Sequence, residues 1–334
     1  MTAATPAARR ARHEELSALL SSHDDTGLAA LVGAGETAGV GGGTAVLDVG
    51  GLPVFVKRVP LTDLELAHPR STANLFGLPV FCQYGVASPG FNAWRELAAN
   101  EILTDAVLAG EAEAFPLLHH WRVLPGRPPV AAEHADVDAV VATLDGHPAV
   151  RARLAALAAA TSSLVLFFEH LPRPAVDWLA EDPAGKAEEV EEQLGRIVAS
   201  LRRHELLHLD GHLGNLRVDG GRLHLTDFGL ATSPRFDLSA EERDFVRRNA
   251  GHDAGYAAMR LVNWLVTSVC GVPAETVPVA RNEYVRRCAA GDVPGDVPPA
   301  VAGVLARHAP DAARLNAFYW RLFDGDVHAE YPLP

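Results

Sequence analysis

Twelve residues, HELLHLDGHLGN from His204 to Asn215, carry the side chains of two incompatible chemistries. His204, Glu205 and His208 have the H-E-x-x-H spacing by which two imidazoles on one helical turn hold zinc while a carboxylate activates water. Asp210 and Asn215, with Asp227 twelve residues beyond, instead offer oxygen ligands for a cation and a carboxylate to orient a hydroxyl, as phosphoryl transfer requires. The zinc pattern continues to Gly211, but Gly214 stands where the third ligand belongs. The apolar stripe of the preceding helix (Val190, Leu194, Ile197, Val198, Leu201) also ends before His204, so the two histidines are not expected to share a face.

Other pieces of a phosphoryl-transfer site lie upstream in a workable order. The turn Gly39-Val40-Gly41-Gly42-Gly43 would let backbone N–H groups approach phosphate, and Val46 follows it. Lys57, eleven residues after Val46, lies across the Gly50-Gly51 turn on the partner strand. The next helix offers Glu96 or Glu101 to pair with Lys57, and Glu96, in its first turns, is preferred.

The elements that would position these groups can be read from period and punctuation. One or two helices over 8–32 precede a hairpin running from Gly39. The segment 60–91 reads as irregular. Asn92 and Gly110 bracket a helix. Strands follow at 115–124 and 162–170, separated by two helices near 133–144 and 148–160. A strongly amphipathic helix lies in 183–204, with His204 and Glu205 closing it and Leu206 to His208 a short strand. Short strands near 214–218 and 222–226 lead into a mainly helical remainder. Strands first and helices second is an α+β arrangement.

With these residues in place, the chain resembles the protein-kinase-like superfamily of Ser/Thr protein kinases and aminoglycoside phosphotransferases. LVLFFEHLP resembles its fifth strand and hinge, QLGRIVASLRRHELLHLDGHLGNLRV its long helix and catalytic loop, and LHLTDFGLA its metal-binding D-F-G turn; the likeness spans about 39–232. It implies a bilobal fold with a small antiparallel-sheet N-lobe and a mainly helical C-lobe. The expected divisions are a helical extension (1–34), an N-lobe (35–170) with insertions near 60–91 and 125–161, and a C-lobe (171–334). It implies ATP and Mg²⁺ as cofactors. Gly39, Gly41, Gly42 and Val46 would cover the phosphates, with Lys57, paired to Glu96, holding the α/β-phosphates. Glu169 and Leu171 would offer backbone bonds to adenine. Asn215 and Asp227 would bind Mg²⁺, Asp210 would orient the acceptor hydroxyl, and His212 stands where a γ-phosphate contact is made. His208 is expected to pack beneath Phe228.

The chain departs from the protein-kinase pattern at four points. Leu209 replaces the arginine that reads a phosphorylated loop, and no A-P-E follows Gly229. Phe55 replaces a small residue near adenine, and Asn100 or Asp105 replaces an apolar residue one turn beyond the candidate glutamates. The acceptor is therefore either a protein, slightly favoured by D-F-G-L-A and the hinge, or a small molecule. A non-catalytic module docking through the 133–160 helices is a further alternative. A formal net charge of −13 argues against nucleic acid or an anionic membrane as partner and towards a neutral or cationic acceptor. Three cysteines (Cys82, Cys270, Cys288) without motif spacing and an N-terminus without an apolar signal core fit a cytoplasmic location.

Overall fold

The computed structural model describes residues 4–38, 43–275 and 278–332. Helices α1 (Pro6–Ser22) and α2 (Asp25–Gly33) lead, N-capped by the side chains of Thr5 and Asp24. Strands β1 (Glu36–Thr37), β2 (Thr44–Val49) and β3 (Leu52–Leu61) follow. β2 and β3 turn at Gly50 and Gly51, whose φ values of 63° and 83° suit the tight hairpin expected there. Next come α3 (Asp63–Ala67), α4 (Ala93–Ala109) and β4 (Leu118–Pro125). α4 starts where the Asn92 side chain accepts from the Trp94 N–H and stops at left-handed Gly110, the two signals the sequence carries. Helices α5 (Val137–Thr143) and α6 (Pro148–Ala159) then lead to β5 (Ser162–Glu169).

These strands form one five-stranded sheet in the order β1-β2-β3-β5-β4, with every neighbouring pair antiparallel. Alternation along β5 builds both faces of it. Val165 and Phe167 join Val54 and Val56 of β3 beneath Leu16, Leu20 and Leu28 of α1 and α2. Leu164, Leu166 and Phe168 point the other way, towards Ala93, Trp94 and Leu97 of α4. The leading helices are thus a lid on one sheet face rather than a loose extension, and the opposite face belongs to α4.

The second half begins with β6 (Arg173–Pro174), α7 (Ala175–Leu179) and α8 (Ala187–Arg203). Strands β7 (Leu216–Asp219) and β8 (Arg222–Leu225) complete a three-stranded antiparallel sheet with β6. Four helices follow: α9 (Ala240–Arg248), α10 (His252–Ser268), α11 (Val279–Ala289) and α12 (Pro299–Phe323). The apolar face of α8 meets α10 and α12 in the largest core. The architecture is α+β, and among the described residues no helix is long and apolar enough to cross a membrane. The short strand expected over Leu206–His208 is reduced to a single bridge between Leu207 and Thr232, because the backbone turns at Glu205 and Leu209, both at positive φ.

The segments 60–91 and 125–161 pack together. Leu78, Cys82 and Phe91 pack with Val140, Val141, Leu144, Val150 and Leu154 of α5 and α6 in a separate core that Val327 completes. At its edge the fully buried Glu65 carboxylate accepts from Arg153 (2.8 Å), from the Thr62 N–H and hydroxyl, and from the Ala93 N–H that opens α4. Among the described residues Arg153, 2% exposed, has no other carboxylate within 4.0 Å. Glu65→Ala therefore strands a buried cation and uncaps α3, and a loss of about 3–5 kcal/mol is expected in urea unfolding; a loss below about 1 kcal/mol, the scale of a surface pair, would show that Arg153 finds solvent.

Candidate active site

Lys57 lies on the sheet face that α4 covers, two residues from Phe55 on its own strand and directly opposite the core residue Leu166 of β5. Its Nζ donates to Glu96 Oε1 and to Asp227 Oδ1, each at 2.7 Å. Three consecutive side chains of α4, spaced by about 100° around the axis, fix this arrangement. The Trp94 indole donates to the Glu65 carbonyl, Arg95 is buried against Glu242 of α9 at 2.6 Å, and Glu96 meets Lys57. Glu101, the other glutamate in question, faces away and pairs with Arg70 instead.

Burial alone would lower the Lys57 pKa, but the Asp227 and Glu96 carboxylates outweigh it and raise it. The Lys57 charge in turn holds Asp227 down to about 2 against burial. Burial, joined by the Asp227 charge, raises Glu96 in spite of Lys57. Asp227 nonetheless keeps 48% of its side chain exposed and Lys57 23%, so solvent screens this pair far more than a core ion pair. Asp227 itself sits at φ 64°, a conformation that costs a non-glycine residue energy and that clusters at functional positions.

The loop carrying Asp210 is held from below. Asp253, at the start of α10, accepts from the backbone N–H groups of His208 (2.7 Å) and Leu209 (3.0 Å). That clamp secures Leu209, buried at φ 66°. The His208 ring packs edge-on against Phe228 at 4.7 Å, accepts at Nδ1 from the Asp210 N–H, and through Nε2 meets the Thr226 carbonyl at 3.0 Å. Both ring nitrogens are thus occupied, and His204 lies at the end of α8 before a left-handed Glu205. The H-E-x-x-H residues share no helical turn, and no cluster of three potential metal-binding His, Cys, Asp or Glu side chains exists among the described residues.

Above this support, Asn215 Nδ2 donates to the Asp210 carbonyl (2.9 Å) and to its carboxylate (3.3 Å). Burial, with Asp227 adding to it, raises the Asp210 pKa against the pull of His208, Asn215 and Arg260. His212 accepts at Nδ1 from the Gly214 N–H, leaving Nε2 3.8 Å from the Asp210 carboxylate. Burial and then Arg260 lower its pKa, and with Nδ1 accepting, the neutral ring carries its proton on Nε2.

Val46 pairs with Phe55 in register on the Lys57 side of the sheet, whereas Gly39, Gly41 and Gly42 lie outside the described residues. The Glu169 N–H donates to the Leu117 carbonyl, so that backbone donor is not free for a ligand; its carbonyl and the following Leu171 backbone remain as candidates. The Glu169 side chain is held by Arg9 of α1 at 2.6 Å. Arg9, Asp253 and Arg260 are contributors that motif reading misses. They act from 160, 45 and about 50 residues away from their targets, with no local signature.

The segment between α3 and α4 closes one side. A side chain added at Gly85 (φ 79°) would come within 3.0 Å of Leu230 and 4.0 Å of Asp210 Oδ1, and one at Gly90 within 3.9 Å of the Gly229 carbonyl. The backbone of 85–90 therefore runs directly past Asp210 and the 227–230 turn.

The linkage sign of the Lys57 pairing is testable. Because the Asp227 pKa is depressed to about 2, its contribution is present above the unfolded carboxylate range near about 4 and is lost as pH falls through the folded value. Lys57→Met removes the counter-charge from both carboxylates. The stability gap between wild type and Lys57→Met in urea titrations should be widest above about pH 4 and close towards pH 2; a gap independent of pH would mean that the ion pair contributes nothing to the fold.

No protein-family model matches this chain and no curated protein matches it.

Proposed function

We propose that the chain is an ATP- and Mg²⁺-dependent phosphotransferase with a bilobal, protein-kinase-like arrangement, transferring the γ-phosphoryl group to a hydroxyl of a small molecule. The observation that carries the reading is the convergence of Lys57, Glu96 and Asp227 at 2.7 Å contacts beside an Asp210–Asn215 pair. These residues come from β3, α4 and two separate loops.

The donor set fits the cofactor. Mg²⁺ takes hard oxygen ligands, keeps waters, and is commonly bound by one or two protein oxygens together with substrate phosphates. The Asp227 carboxylate and the Asn215 amide oxygen are such a pair, and a site completed by phosphate needs no cluster of three protein ligands. ATP would supply the phosphoryl group, and Mg²⁺ would neutralise its charge. Lys57, oriented by Glu96, would hold phosphate oxygens, with Val46 and the hinge backbone of Glu169 to Leu171 against the base.

The chain's own groups divide the remaining work. Asp210, kept in place by Asn215 and the Asp253 clamp, would accept a hydrogen bond from the acceptor hydroxyl and orient its oxygen for in-line attack. Its elevated pKa suits a group that takes a proton as the transfer proceeds. The His212 Nε2–H is placed to donate to a phosphoryl oxygen. Catalysis of this kind rests on positioning and fixed charge rather than on covalent chemistry.

The 85–90 backbone favours a small acceptor over a protein. It passes close to Asp210 and the 227–230 turn, where an extended peptide would have to lie. Burial of the apolar sides of α5 and α6 weighs against the non-catalytic alternative.

Mg·ATP should raise the melting temperature of the protein, and Asp210→Asn should keep that shift while lowering phosphoryl transfer to any acceptor by at least about a hundredfold. An unshifted melting curve, or undiminished turnover by Asp210→Asn, would defeat the proposal.

A further inference from the structure

His252, the first residue of α10, is fully buried beside the Asp253 clamp, so water reaches neither of its ring nitrogens. Nδ1 lies 3.2 Å from Asp253 Oδ1, and Nε2 lies 2.7 Å from the hydroxyl of Tyr319 on α12. A carboxylate that already accepts the N–H groups of His208 and Leu209 has no hydrogen to give. Nδ1 is therefore the donor of its contact. In the neutral ring Nε2 is then an acceptor, and the Tyr319 O–H donates to it. Burial raises the Tyr319 pKa, which keeps that hydrogen in place. The bonds form one line from α12 through His252 and Asp253 to two backbone N–H groups of the Asp210 loop.

Four of the chain's five tyrosines enclose this imidazole. Tyr256 stacks on it with ring centres 5.4 Å apart, and Tyr84, Tyr319 and Tyr331 lie at 6.1, 6.1 and 5.7 Å. A core that needed only filling would take apolar residues at 252 and 319, since a buried polar atom costs free energy unless it is paired. Here every side-chain polar atom of Tyr319, His252 and Asp253 is paired, and a fully satisfied buried network fixes orientation. What it orients is Leu209, whose N–H is held at a φ of 66° that the backbone would otherwise relax. The cluster also supports the other wall of the site. The Tyr84 hydroxyl donates to Asn249 at 2.9 Å, and the next residue, Gly85, runs past Asp210.

We propose that Tyr319 and His252 are positioning residues for Asp210. The Tyr319 hydroxyl sets the His252 ring, the ring sets the Asp253 carboxylate, and the carboxylate sets the loop on which Asp210 meets the acceptor hydroxyl. The proposal deepens the phosphotransferase reading and rests on it for the role of Asp210. Neither residue touches the reacting atoms. Without the Tyr319 oxygen, Nε2 is left buried without a partner, and the ring gains a reason to tilt away from Asp253. A misplacement of about 1 Å at a reacting centre costs roughly a hundredfold in rate, so a smaller slackening of the loop corresponds to about tenfold.

Hydrogen–deuterium exchange of the full chain without nucleotide reads the loop directly. Tyr319→Phe removes one oxygen and keeps the ring. It should speed exchange across 206–211 by about tenfold, while the five-stranded sheet exchanges as in wild type. His252→Asn keeps a donor near the Nδ1 position and has nothing at Nε2, so it should loosen the same segment. Because both changes break one line of contacts, the double variant should be no looser than the singles. Unchanged loop exchange in Tyr319→Phe, faster exchange throughout the protein, or effects that multiply in the double variant would each overturn the proposal. Phosphate release from Mg·ATP, with water as acceptor, is the second readout. Tyr319→Phe should lower kcat by about tenfold with KM for Mg·ATP unchanged; a raised KM with unchanged kcat would put the effect at the nucleotide and overturn the assignment. If the loop loosens as described in a protein whose wild type neither binds nor turns over Mg·ATP, the line of contacts is supported and the phosphotransferase is refuted.

Discussion

The ion pair from Lys57 to Glu96 and Asp227 is the contact on which the rest of the arrangement turns. It joins a strand of the five-stranded sheet, the helix across that sheet and a loop of the helical half through a single Nζ. Every anchor around it serves to keep those three parts in register. Trp94 and Arg95 fix the turn of α4 that carries Glu96, the Glu65 hub fixes where α4 begins, and α1 and α2 brace the sheet from the other face. A lysine with two acidic neighbours is over-supplied with negative charge, so one carboxylate can be released to a cation without leaving Lys57 unpaired. Asp227, with about half of its side chain exposed, is the one in a position to go.

The supports of the Asp210 loop follow a related logic. Leu209 and Asp227 both occupy left-handed backbone, which the chain would relax out of unless held. Asp253 holds the first through two backbone N–H groups, and Lys57 holds the second through its side chain. The strain sits on either side of the acidic pair and is offset by buried contacts below it. Such a loop places its polar atoms without depending on a ligand to order them.

Much of this was legible in the sequence where the signal is local. Asn92 and Gly110 mark the ends of α4, Gly50-Gly51 the hairpin, and the stripe of α8 its buried face. The choice between Glu96 and Glu101 was open because both lie on one helix. Five residues correspond to about 140° of rotation, so only one can face the sheet, and which one does depends on how Trp94 and Arg95 dock. The partners across long sequence gaps were not legible. Arg9 with Glu169, Arg153 with Glu65 and Asp253 with the Asp210 loop each join surface-type residues whose burial is decided by tertiary packing. Nothing in their neighbourhoods separates them from solvated charges. The segment 60–91 reads as irregular for a similar reason, since its apolar residues pack against the two helices of 125–161 and not among themselves.

On the proposed function, Asp227 would exchange its Lys57 contact for a nucleotide-bound metal. The most direct test is the gain in ATP affinity produced by Mg²⁺, measured by calorimetry in wild type and in Asp227→Asn. The account predicts a clear Mg²⁺-dependent gain in wild type, about tenfold or more if one charge-assisted contact is involved, and its loss in Asp227→Asn while metal-free ATP binding persists. An equal gain in both proteins would contradict it.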